Sequence, residues 1–440
     1  MSPVPHILFH SSRGGAADKG FSAALLEGLA SDGGLYVPGH WPQLSAEDFA
    51  GASELPAVAE RLLAPFLAHD ALEAQLPALA REAFNFPAPL VALTDDGRLS
   101  ILELFHGPTA AFKDFGARFL AGAFSRLRPA TGHPLTILVA TSGDTGGAVA
   151  AAFQGRPGMQ VVVLFPKGRV SPTQERQLTC WGGNVRALAV RGTFDDCQRL
   201  VKEAFVDDAL RARTLLSSAN SINLGRLLPQ GVYYAATSLA VFRRYREPAS
   251  FIVPSGNLGN AVACLWARRM GLPIGDVVLA HNANRAVPDY LESGEWQPRA
   301  SLATLASAMD VGNPSNLERL QALFPQFSAL QAAVRACSVS DAQIRARIRI
   351  GYEQYGQVWC PHTATAAEAW ERLPQGLRAT RRWVLVATAH PAKFPEIVEP
   401  LIGRPVAVPP SLAALYARRN ESVEVDANLN ALRALLEEQS

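Results

Sequence analysis

The stretch LTILVATSGDTGGAVAAAF, Leu135 to Phe153, reads as a strand that runs directly into a glycine-rich turn and then a helix. LTILVA is a continuous aliphatic run, the pattern of a strand covered on both faces, and the alanines after the turn favour helix. Outward from this unit the pattern repeats. VVVLF at 161–165, VRALAV at 185–190, FIVP at 251–254, VVLA at 277–280 and VLVATA at 384–389 are short runs separated by glycine-containing turns and amphipathic helices. That alternation predicts an α/β fold with mostly parallel sheet and crossover helices on both faces. A long helical segment, about 223–244, separates two groups of strands, so two open α/β domains are expected. Before them, FSAALLEGLA and ELPAVAERLLAPFLA have helical spacing, and DGGLYVP is a turn running into an extended segment. The expected division is a helical N-terminal domain at 1–95, a smaller α/β domain at 96–240 and a larger one at 241–440. A ligand then belongs in the crevice between the two α/β domains.

A chain of 440 residues, 48% hydrophobic and 18% charged, has the composition of a multidomain globular enzyme rather than a disordered or fibrous chain. The formal charge of +2 is spread along the sequence, which argues against a nucleic-acid partner. The start lacks the apolar run of a secretory signal, and no stretch is apolar for long enough to span a membrane, so a cytoplasmic protein is expected. Cys180, Cys197, Cys264, Cys337 and Cys360 are far apart with no C-x-x-C; they suggest neither a disulfide framework nor a metal site, and read as buried small hydrophobes. Only five of the 41 basic residues are lysine: Lys19, Lys113, Lys167, Lys202 and Lys393. Where arginine serves almost every cationic purpose, a retained lysine points to an amine that must lose its proton and attack a carbonyl.

Lys113 lies in LELFHGPTAAFKDFGARFL, where a Gly107-Pro108 turn gives way to a helix. Flanking Phe112 and Phe115 predict partial desolvation, and a helix start disfavours a further positive charge, so the neutral amine is favoured. A surface lysine on a helix has the same local sequence. The TSGDTGG turn presents backbone N–H groups to an anion, as an ordinary tight connection also would, and without G-K-[ST] it is no P-loop. A second such loop, Ser255-Gly256-Asn257-Leu258-Gly259-Asn260, ends the run FIVP before a helix and suits a dianionic phosphate better than a dinucleotide, since the third glycine of the Rossmann pattern is missing. Thr388 and His390 at a strand end, and Arg226 in NSINLGRLLPQ, are candidates for a ring nitrogen and an oxyanion; taken singly, residues of these types are more often structural.

In chain order, FHSSRG, DGGLYVP, ELFHGPTAAFKDF, TSGDTGGAVA, SSANSINLGRLLPQ, PSGNLGNAVA, AMDVGNPSNLERL and ATAHPAKF resemble the long threonine synthases of bacteria and fungi, from about residue 9 to residue 400. The resemblance implies the tryptophan synthase β-like fold, pyridoxal-phosphate fold type II, with an extra N-terminal domain. It implies pyridoxal 5'-phosphate as cofactor and conversion of O-phospho-L-homoserine and water into L-threonine and phosphate, by γ-elimination and β-addition of water. Lys113 matches the Schiff-base lysine, and Gly256, Asn257, Leu258, Gly259 and Asn260 match the cofactor-phosphate loop. Thr388 matches the hydroxyl at the pyridine nitrogen. Asp144 stands where shorter relatives carry Asn beside the phenolic oxygen, with Ser142 and Thr145 near the substrate. Ser221 and Arg226 match positions that hold the substrate phosphate. Ser12 and Leu258 depart from the commoner Thr and Phe; the first keeps a hydroxyl, and the second is expected to act through its backbone N–H. The motifs leave open a phospho-lyase yielding a 2-oxo acid, and a non-catalytic sensor of a phosphorylated amino acid. A monomer or homodimer acting on a small molecule is expected, with no nucleic-acid or membrane partner.

Overall fold

The computed structural model describes residues 6–127, 134–141 and 143–437; Ser142, a candidate substrate residue, lies outside them. Two largely parallel sheets form the body. The first runs in the order Val334–Ser338, Ile274–His281, Ala249–Pro254, Arg382–Ala387, Leu99–Glu103, Leu90–Ala92, and only the last strand is antiparallel to its neighbour. The second runs Val423–Asp426, Val185–Arg191, Met159–Pro166, Leu135–Ala140, Leu215–Ser218, parallel throughout. Helices on both faces explain why the central strands Leu135–Ala140 and Ala249–Pro254 are buried along their whole length and mostly apolar, with Thr136 and Ser250 the polar positions.

All six runs read from the sequence are strands, the last ending at Ala387, before Thr388. Those it passed over include Leu215–Ser218, Val334–Ser338 and Val423–Asp426, short strands at sheet edges, where half-exposure permits residues such as Arg335 and Glu424. The first sheet crosses the boundaries at 96 and 241, since Leu90–Ala92 and Leu99–Glu103 join it, and the second crosses the one at 241 by taking Val423–Asp426.

The N-terminal region carries the helices Phe21–Glu27, Leu55–Leu67 and Leu76–Ala83, with a two-stranded ribbon pairing Phe9–Ser11 with Tyr36–Pro38. Within it Phe9 packs on Phe21 at 5.7 Å between ring centroids, and Phe21 in turn packs on Phe119 of the body at 6.4 Å. Phe119 belongs to the helix Lys113–Leu127, which is buried from Asp114 to Phe124 except at Arg118. A helix apolar nearly all round must be surrounded, and this one passes through the core joining the N-terminal region to the body. No helix among the described residues is long and apolar enough to cross a membrane. Cys180, Cys197, Cys264 and Cys360 are buried and Cys337 is half-buried.

Candidate active site

Lys113 is the first residue of its helix, and the preceding segment is laced to the segment after the strand Arg382–Ala387. Phe112 N donates to Thr388 O at 2.9 Å and His390 N donates to Ala110 O at 3.0 Å. This ladder sets Thr388 beside Lys113, and both line one cavity. The Lys113 ammonium lies 4.9 Å from the Phe112 ring centroid. Burial above all lowers its pKa to about 8; Asp144 opposes the shift, while Lys393 and Arg226 add to it. Phe115 contributes nothing directly: two positions on, it points to another helix face and packs on Phe86, Phe84 and Tyr233.

The turn after Leu135–Ala140 brings Asp144 into the same cavity. Thr141 Oγ1 accepts from Gly143 N at 3.0 Å and Gly146 N at 2.9 Å, and Gly143 has φ 146°, a conformation that side chains avoid. Asp144 then opens the helix Asp144–Phe153, with Thr145 also facing the cavity. Burial would raise the Asp144 carboxyl, but the cations of Lys393 and Lys113 overcome it and hold the group well below the usual carboxylate range.

Opposite stands the loop Gly256–Asn260, between the strand Ala249–Pro254 and the helix Gly259–Arg269. Leu258 has φ 61°, left-handed for a residue with a side chain. Such strain persists only where surroundings enforce it and is frequent in ligand loops. A Cβ on Gly256 would lie 2.7 Å from Met309 Cα, so the loop passes the segment around Met309 at a separation only glycine permits. Asn260 Oδ1 accepts from Tyr233 at 2.6 Å and Tyr234 at 2.8 Å, which leaves its buried Nδ2 with no partner among the described residues. Ser221 Oγ accepts from Asn257 Nδ2 at 2.9 Å and Asn316 Nδ2 at 3.2 Å; with its lone pairs engaged, its own O–H remains to donate.

Arg226 is 2% exposed and lines the cavity. Its Nη1 donates to Ala219 O, its Nε has no partner, and no carboxylate pairs with it among the described residues. Burial lowers it to about 10, so it keeps its charge at neutral pH. A buried cation without a counterion is costly unless a ligand supplies one, and a forked guanidinium suits a phosphate.

The structure thus gathers Lys113, Asp144, Thr145, Ser221, Arg226, Gly256, Asn257, Leu258, Gly259, Asn260 and Thr388 around one cavity. His390 is elsewhere: its Nδ1 accepts from Ala392 N at 3.1 Å as a helix cap, and its ring packs on Phe105. The sequence reading missed His362, Asn220 and Gln198, which also line the cavity. His362 is lowered to about 4 by burial and accepts from Ala308 N at 3.1 Å, so it is neutral at pH 7. A P-H-T opening an alanine-rich helix carries no sign that its histidine faces the charge of a lysine far away in sequence. As a receptor, the cavity fits pyridoxal phosphate: an amine near its working pKa for an aldehyde, a strained loop with a free amide donor for a phosphate, and a buried hydroxyl at Thr388.

Three family models match the chain: Threonine synthase N terminus over residues 8–84, Pyridoxal-phosphate dependent enzyme over 85–389, and Threonine synthase, C-terminal over 363–436. A threonine synthase of Haemophilus influenzae is 41% identical over 418 residues, 94% of this chain and 96% of that one. The crystal structure of the Escherichia coli threonine synthase superposes with a TM-score of 0.90 at 37% identity, covering 98% of this chain and 100% of that chain. A pyridoxal-phosphate-bound threonine synthase from Brucella melitensis has the same TM-score at 36% identity, covering 99% of both chains. With matching family models along its length, and relatives and folds that agree end to end, the chain belongs to the pyridoxal-phosphate-dependent threonine synthase family.

Proposed function

We propose that this chain converts O-phospho-L-homoserine and water into L-threonine and phosphate, with Lys113 as the residue that carries pyridoxal phosphate. The observation that carries the residue assignments is the meeting, in one cavity, of an amine lowered to about 8 with a buried, unpaired guanidinium and a strained phosphate-type loop.

In this reading Gly256–Asn260 hold the cofactor phosphate through backbone N–H groups and Asn260 Nδ2. Thr388 meets the ring nitrogen with a neutral hydroxyl, and Asp144 stands beside the phenolic oxygen. Ser142, Thr145, Ser221 and Arg226 hold the substrate. The bound cofactor supplies an electron sink for charge developing on the substrate's carbon atoms. Lys113 would be the general base and acid that moves protons at the substrate's Cα and Cβ. Arg226 and the Ser221 hydroxyl stabilise the phosphate as its bond to Cγ breaks. Water then adds at Cβ. In the same reading the chain works in the cytoplasm as a monomer or homodimer, and the modest net charge of +2 supports the part of the reading that excludes a nucleic-acid partner.

Incubating the purified protein with O-phosphohomoserine while following phosphate and threonine together tests the reading. Equal amounts of both are expected. Phosphate accompanied by 2-oxobutyrate and ammonia would establish the phospho-lyase instead, and no turnover by cofactor-loaded protein would favour the sensor.

A further inference from the structure

Two lysines lie within the site region, and the reaction as derived uses only Lys113. Lys393, in the short turn Pro391–Lys393 beyond the strand Arg382–Ala387, is 0% exposed. Its Nζ is 2.7 Å from Asp144 Oδ1 and donates to Thr109 O at 3.0 Å. One ammonium therefore ties together the segment after the strand Arg382–Ala387, the helix start that presents Asp144, and the loop leading into Lys113. Lysine is almost never fully buried unless paired, and an apolar side chain of similar volume would avoid the desolvation cost. Packing alone does not account for it.

Lys113 supplies the account. A carboxylate facing Lys113 without a second cation would hold that lysine in its charged form, which cannot attack a carbonyl. We propose that Lys393 is a positioning residue: it takes the charge of Asp144 to itself, so that Lys113 keeps a neutral amine able to condense with the cofactor's aldehyde. This rests on the reading of Lys113 as the cofactor lysine. In the condensation the amine lone pair forms the new bond to the aldehyde carbon, and the aldehyde oxygen leaves as water with the two amine protons.

The other groups around the pair do not substitute for Lys393. Asp114 is turned to Thr109, accepting from its N at 2.9 Å and its Oγ1 at 2.6 Å. Arg226 acts on Lys113 only as a further positive charge. Burial lowers both His362 and His390 to about 4, so both are neutral at pH 7. Burial also raises the Cys360 thiol, and it raises the Tyr416 phenol to about 12.

The test uses the full chain freed of cofactor. Pyridoxal phosphate is added and the rate at which visible absorbance appears is followed from about pH 6 to 10.5, spanning the shifted and ordinary lysine ranges. The parent protein is expected to be half-maximal near pH 8. Lys393→Met and Lys393→Gln, the second keeping a donor in case the first fails to fold, are expected to move that midpoint upward by about one unit or more. Lys393→Arg is expected to leave it in place, and Lys393→Met with Asp144→Asn to bring it back to the parent value or below. A merely structural role would slow capture at every pH without moving the midpoint. Borohydride reduction and peptide mapping locate the pyridoxyl label in each variant. Label on Lys113 with an unmoved midpoint in the uncharged variants overturns the role of Lys393 alone; label on another lysine overturns the assignment of Lys113, and this proposal with it.

Discussion

Lys113, half-buried, and Arg226, buried, are cations lining one cavity, yet desolvation has different consequences for them. It brings the Lys113 amine down to about 8, within reach of the neutral form, whereas Arg226 at about 10 still holds its proton at pH 7. Lys113→Ala is therefore expected to abolish turnover and the visible absorbance of the bound cofactor while leaving the circular dichroism spectrum unchanged. Lys113→Arg is expected to fare no better, since a guanidinium does not deprotonate. Measurable turnover by either variant would remove Lys113 from its role. Arg226→Ala is expected to raise KM for O-phosphohomoserine and lower kcat, with cofactor content nearly constant. A charge-assisted contact to a leaving phosphate of about 2–4 kcal/mol corresponds to a loss in kcat/KM on the order of 30- to 1000-fold. If the variant instead lost pyridoxal phosphate and regained full substrate affinity once refilled, the two phosphate sites would be reversed. Arg226 is also tied to the backbone, its Nη1 donating to Ala219 O.

The helices matter here through how closely they approach. A Cβ on Gly116 would lie 2.5 Å from Arg226 O, so the helix Lys113–Leu127 and the short helix Leu224–Leu227 meet backbone to backbone. Gln230 Nε2 donates to that same carbonyl at 2.6 Å, which holds the far side of the contact. Gly116→Ala must push Lys113 and Arg226 apart. The expected cost is about 1–3 kcal/mol of stability, read as a lower urea midpoint. A displacement approaching an ångström is expected to lower kcat/KM by up to about 100-fold. Unchanged stability and activity would mean that the two helices separate freely. The glycine-rich loops were legible in the sequence because their composition is unusual. The left-handed backbone of Leu258 was not, since it is imposed by the loop's surroundings on a residue that does not favour it.

At the scale of the whole molecule, Arg319 joins regions that are distant along the chain. Fully buried, it donates to Tyr36 O at 3.0 Å in the N-terminal ribbon, to Ser221 O at 3.0 Å and Ile222 O at 2.7 Å beside the cavity, and to Asn316 Oδ1 at 2.8 Å. Arg319→Leu would leave these acceptors buried and unmatched, so a loss of at least about 3 kcal/mol is expected in equilibrium unfolding. KM for O-phosphohomoserine is expected to rise as well, because the peptide carrying Ser221 loses its anchor. A loss of stability with KM unchanged would show that the N-terminal region supports the fold without shaping the substrate site.

The sequence by itself determined the α/β class, the strands of the sheet interiors, and the motifs that supply the cavity. Interior strands must be aliphatic on both faces, and tight turns need glycine, so both leave a local mark in composition. Short edge strands such as Val423–Asp426 leave a weaker mark, because half their surface meets water. Tertiary structure alone decided which sheet each strand joins, and that Lys393 and His362 reach Lys113 while His390 turns away to cap a helix. Those outcomes depend on contacts between residues far apart in the chain, where a charge acquires its meaning from what burial places beside it.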